Sequence, residues 1–136
     1  MGYTQYVGDG IVSWSAKKQP IVTLSSIKAE YVALTHATKY VLWIRKIFSE
    51  LHPFTEFGPP MDLYCDNQGA IRLSKDSTFH GCTKHIDVHF HFIQQMISTG
   101  AILLKYCPTE DMIANVFTKS LARVKFEKFH NLLGLA

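Results

Sequence analysis

Two carboxylates and a cluster of histidines are the residues through which this chain could do chemistry. Asp66 closes the apolar run Met61–Cys65, which reads as a strand, and Glu30 stands one turn inside a helix expected to cross the same sheet. Carboxylates so placed could share a divalent ion, because Mg²⁺ takes oxygen ligands and commonly one or two carboxylates. They would serve equally as a helix-capping aspartate and a half-exposed helix glutamate. His85 and His89 lie four apart, with His80, Cys82 and His91 close by. That spacing lets one helix face bind zinc, although no cysteine pair at metal-ligand spacing accompanies it. Arg72, Lys75, Lys84, Lys119, Arg123, Lys125 and Lys128 either follow a nucleic-acid backbone or are solvated helix faces.

The elements that must position these groups are legible from periodicity. Residues 3–15 form two β-rich runs about Gly8-Asp9-Gly10, a tight-turn sequence that predicts a hairpin and holds Asp9 away from the sheet's carboxyl end. Ser25-Ser26 offers an N-cap, and Leu34, Ala37, Val41, Ile44, Phe48 and Leu51 step by 3,4,3,4,3, predicting one helix over about 26–51. His52-Pro53 and Gly58-Pro59-Pro60 end it. A strand over 61–65 should give way at Asp66-Asn67 to a short helix over 68–75, followed by a helix over about 84–98 closed by Gly100. Residues 102–106 predict another strand, 108–119 a helix, and Val124, Phe129, Leu132 and Leu133 a last amphipathic helix. Strands alternating with helices after a hairpin predict an α/β sheet flanked by helices, with any site at the carboxyl ends of its strands.

Composition sets the outer bounds. At 136 residues the chain is read as a single domain over 1–136, and 47% hydrophobic against 18% charged residues excludes disorder as the default. Tyr31, Trp43, Phe48, Phe90, Phe92, Phe117, Phe126 and Phe129 fall at helical spacing and are expected in the core. A net charge of +3 permits a polyanionic partner without demanding one. Three cysteines at wide spacings argue against a secreted disulfide framework, and no apolar run reaches membrane-spanning length. The expected location is intracellular, cytoplasmic or nuclear.

Five ordered blocks carry a more specific signal. They are Val-Ser-Trp-Ser-Ala-Lys-Lys-Gln-Pro (12–20), Ser-Ser-Ile-Lys-Ala-Glu-Tyr-Val-Ala-Leu (25–34), Tyr-Cys-Asp-Asn-Gln-Gly-Ala-Ile (64–71), Thr-Lys-His-Ile-Asp (83–87) and Pro-Thr-Glu-Asp-Met-Ile-Ala-Asn-Val-Phe-Thr-Lys (108–119). Together they resemble the ribonuclease H domain at the end of copia-type LTR-retrotransposon polyproteins. The resemblance implies a ribonuclease H-like α/β fold, a mixed sheet with helices on both faces, and two-metal hydrolysis of the RNA strand of an RNA/DNA hybrid. Four acidic positions carry that chemistry in the family. Glu30 matches the one on the long helix and Asp66 the one after the fourth strand. Where the family reads Ala-Asp on a late helix, this chain has Ala114-Asn115. The family's first, central strand and its aspartate precede the Gly-Tyr that is here Gly2-Tyr3. Lys28 stands where relatives carry a second acid beside the helix glutamate, and Lys84 and His85 match positions that approach phosphate or product.

With two of the four acidic positions unfilled, the resemblance implies a catalytically inactive domain that acts through macromolecular binding. A protein partner or a second copy is expected to fill the central strand position, by strand addition or dimerisation. No cofactor is expected. If hydrolysis persists it would need Mg²⁺ or Mn²⁺ at Glu30 and Asp66; an RNA/DNA hybrid bound without cleavage is a third expectation.

Overall fold

The computed structural model describes residues 1–18, 25–52, 58–76 and 84–134. The hairpin forms as its turn sequence dictates. β1 (Gly2–Val7) pairs antiparallel with β2 (Gly10–Ala16), and Gly8 takes the positive φ of 61° that closes the two-residue loop. Register shifts between Gln5 and Tyr6. α1 runs from Ser26 to Leu51, started by Ser25, whose hydroxyl accepts the Lys28 N–H at 3.3 Å. β3 (Met61–Cys65) leads into α2 (Gln68–Lys75), and α3 (Lys84–Ser98) ends at Gly100, with φ 71°, before β4 (Ile102–Tyr106). β4 pairs with β3 in parallel, as a helical crossover allows. α4 (Arg123–Leu132) closes the described fold.

Three expectations are corrected. The predicted helix over 108–119 is a turn followed by a single 3₁₀ segment, Ile113–Phe117. The amides of Asp111, Asn115 and Thr118 bond three residues back, to Pro108 O, Met112 O and Asn115 O, and Asn115 Nδ2 donates to Thr109 O at 3.1 Å, so i→i−3 and side-chain bonds break up the α ladder. The single sheet is instead two two-stranded sheets, β1–β2 and β3–β4. Of the aromatic residues expected in the core, Tyr31, Phe90 and Phe129 are buried, whereas Trp43, Phe48 and Phe126 are exposed. Trp43, two positions past Val41, is turned about 200° round α1 from that buried residue, and Phe48 lies two turns beyond it, near the end of the helix.

The core is built on α1. Its Tyr31, Leu34, Ala37 and Val41 pack with Tyr3 of β1, Leu63 and Cys65 of β3, Ile102 and Leu104 of β4, Ala70 and Ile71 of α2, and Phe90 and Ile93 of α3. Tyr31 OH donates to Ala70 O at 2.8 Å, and burial raises that phenol's pKa above its usual range. Among the described residues no helix is long and apolar enough to cross a membrane.

Candidate functional site

Both sheets lean on α1 but do not join, and a cleft of about 950 Å³ separates them. One wall is β1, Gly2 to Val7; the other is β3, Met61 to Cys65, with Asp66 beyond it; Ala33, Ala37 and Val41 of α1 form the floor. The strands forming the walls run in opposite directions. A Cβ on Gly2 would lie 2.7 Å from Thr118 Cγ2, so β1 begins against the 113–117 segment, and β3 ends there too, because Asp66 reaches Thr109 and Lys119. Among the described residues each wall strand pairs with a neighbour on one side only, leaving its other edge of main-chain N–H and C=O groups facing the cleft.

The expected catalytic positions converge at that end. Glu30, Asp66 and Asn115 all line the cleft, with Lys119 beside them. Asn67, not Asp66, caps α2, its side chain accepting the Ala70 N–H at 3.0 Å. Asp66 is thereby left to the cleft, where its Oδ2 accepts from Thr109 Oγ1 at 3.1 Å and meets Lys119 Nζ at 3.5 Å. Asn115 is buried and joins the same network through Thr109 O. Glu30 lies 4.0 Å from Cys65 Sγ, and its pKa is raised by burial first and by the Asp66 charge second, against the lowering pull of Lys119. Burial likewise pushes the Cys65 thiol up to about 12.

Among the described residues no group of three or more His, Cys, Asp or Glu side chains could hold a metal ion. The donor set falls short of a two-ion centre: it offers two carboxylates, an amide whose nitrogen is committed to Thr109, and an ammonium next to Asp66. Cys65, Thr109 and Lys119 belong to the site but were not among its expected ligands. Their signal was sequence position, since Cys65 adjoins Asp66 and the other two lie in the 108–119 block.

The remaining candidates are placed elsewhere. Asp9 sits at the hairpin tip, beyond the end of β1 remote from Asp66. His89 turns toward α1, where burial and then the charges of Lys39 and His36 lower its pKa. His80, Cys82 and the side chains of Lys84 and His85 lie outside the described residues. Three of the seven residues in the basic row are in ion pairs: Lys119 with Asp66, Arg123 with Glu127 at 2.8 Å, Lys128 with Asp111 at 3.1 Å.

Comparison with known proteins identifies homologues over nearly the whole chain. It is 37% identical over 134 residues to the retrovirus-related Pol polyprotein from transposon RE2 of Arabidopsis thaliana, and 36% identical over 134 residues to that from transposon RE1. The corresponding polyprotein from transposon TNT 1-94 of Nicotiana tabacum is 37% identical over the same length. Each match covers 98% of this chain but only 9–10% of the relative, so the chain spans about a tenth of the polyproteins it matches. Neither a family model nor a solved structure matches it.

Proposed function

We propose that this chain, homologous to a tenth of transposon Pol polyproteins, is a ribonuclease H-like domain that no longer hydrolyses RNA. It acts by binding a polypeptide that completes its divided sheet. The observation that carries this reading is the cleft itself. Its walls are the two strands between which the resemblance sets the family's first strand, and the described residues supply no strand there. At its acidic end Asn115 brings an amide instead of a carboxylate, and Lys119 brings a positive charge within 3.5 Å of Asp66. Two cations about 3.5–4 Å apart repel strongly and need bridging carboxylates to approach; two carboxylates with an ammonium alongside are a poor match.

The test is incubation of the purified chain with a labelled RNA/DNA hybrid in Mg²⁺ and in Mn²⁺, beside the Glu30→Gln and Asp66→Asn variants. The expected result is no cleavage above the variants in either metal. Cleavage abolished by both substitutions would overturn the reading. It would establish instead residual metal-dependent hydrolysis, the alternative favoured by the Coulombic proximity of Glu30 and Asp66. Retention of the uncleaved hybrid, falling steeply with salt, would assign nucleic-acid binding in its place.

A further inference from the structure

We infer that the outer face of α1 is a nucleotide-binding surface, on which an unpaired base stacks at Tyr40 and Trp43 while its phosphate is held by His36 and Lys39. The surface stands apart from the cleft and from the function proposed for it.

His36, Lys39, Tyr40 and Trp43 stand at i, i+3, i+4 and i+7, so they form one contiguous patch. It lies about a third of a turn round α1 from Ala33, Ala37 and Val41 of the cleft floor. The hairpin borders it on one side, where the Tyr3 and Tyr40 ring centres are 5.3 Å apart. On the other side is α3, where Lys39 Nζ lies 5.9 Å from the centre of the Phe92 ring.

The aromatic pair selects a planar ligand. Tyr40 and Trp43 are 42% and 58% exposed, and their rings meet at 79° with centres 6.4 Å apart. With Lys39 they line an open hollow of about 370 Å³, within the range of small-ligand sites. Rings set nearly at right angles make a corner, in which a base stacks on one face and meets the other ring at its edge. A paired base in a duplex is covered on both faces by its neighbours, so the ligand is a free nucleotide or an unpaired residue of a strand.

The charges select a phosphate. His36 and Lys39 precede Tyr40 and Trp43 by one turn, about 6 Å along the axis, as the ribose sets a phosphate off from its base. The charges acting on His36 are those of Lys39 and Lys17, and those acting on His89 of α3 are Lys39 and His36, all of one sign. Lys46 carries the positive face past Trp43, and Glu50, 4.0 Å from Lys46, is the one carboxylate that α1 has on this side. Burial and these neighbours hold both imidazoles below their ordinary pKa. A bound dianion would oppose that effect and draw protons onto them, so binding is coupled to proton uptake.

The test follows Trp43 fluorescence in a Trp14→Phe background, where it is the one tryptophan. The protein is titrated with adenosine 5′-monophosphate, adenosine, single-stranded hexa-adenylate and a blunt RNA/DNA hybrid. The monophosphate should quench saturably and bind about tenfold more tightly than adenosine. Its affinity should rise from pH 8 to pH 6, and His36→Gln should flatten that rise. Lys39→Gln should remove the preference over adenosine, and Trp43→Leu, followed by calorimetry, should abolish binding of both. Circular dichroism checks the fold of each variant. Tighter binding of hexa-adenylate than of the monophosphate identifies the ligand as a residue of a strand, and equal binding identifies a free nucleotide; either supports the site. Equal affinity for adenosine and its monophosphate overturns the assigned phosphate contacts. Absence of saturable quenching, or binding of the blunt hybrid as tight as that of hexa-adenylate, overturns the inference altogether.

Discussion

The two small sheets rest on one helix yet are buried unequally. β3–β4 packs against α1, α2 and α3, burying Leu63, Cys65, Ile102 and Leu104 with Met61 half-buried beside them. β1–β2 buries only Tyr3 and Gln5, leaves Val12 and Trp14 exposed, and keeps an unsatisfied Gln5 oxygen. Both ribbons border the cleft; what differs is their cover, three helices against β3–β4 and chiefly α1 with the 113–117 segment against β1. The difference makes β3 the better-packed wall of the cleft and β1 the less packed one.

The comparison breaks most sharply in the better-packed half. Ile102, 2% exposed, should cost about 3–4 kcal/mol as Ile102→Ala by the loss of buried methyl groups and the cavity left behind. Urea unfolding monitored by circular dichroism measures it; a loss under 1 kcal/mol would erase the contrast. At the cleft the sign reverses. Glu30 is held above its ordinary carboxyl pKa, so the folded state binds its proton more tightly than the unfolded chain and loses stability as pH rises through the raised value. Glu30→Gln should therefore stabilise the free protein at pH 7 by about 1 kcal/mol, the scale of one partly buried charge. The gain should shrink as pH falls through the raised value and be gone below the ordinary value of 4.5, which thermal melts across pH 4–7 will follow. Smallest is the outer face of the hairpin: Trp14, 64% exposed, should change stability by no more than about 0.5 kcal/mol as Trp14→Ser. A larger loss would mean that this ribbon is packed from a side the described residues do not cover.

What the sequence disclosed depended on whether neighbours in the chain decide a feature. Ser25 and the 3,4 stepping set the bounds of α1 because capping and amphipathic burial act within a few turns. Asp66-Asn67 marked the β3–α2 junction for the same reason, though which residue capped and which reached the cleft was settled by Thr109 and Lys119, more than forty positions away. Pro108-Thr109-Glu110-Asp111 reads as the opening of an α-helix over 108–119, whereas the Asn115 side chain competes for the backbone of Thr109. Phe48 keeps the helical period but lies two turns past Val41, the last buried residue of α1, whereas Trp43 stands off the buried stripe, and no local pattern reports how far the core reaches. Glu30, Asp66 and Asn115 were found as a set through the resemblance; their common cleft and the orphaned Gln5 oxygen became visible only in three dimensions.

The spacing of the two ribbons along the chain also orders events in time. β1 and β2 are joined by a two-residue turn and can close within about 1–10 μs, whereas β3 must wait for β4 across residues 66–101. At synthesis rates of about 5–20 residues per second, residues 52–106 take about 3–10 s to follow α1 off the ribosome. Through that interval the β1 edge is presented on α1 with nothing opposite it. A segment that docks there while translation continues would meet one wall first, and the second ribbon would close over it as it folds.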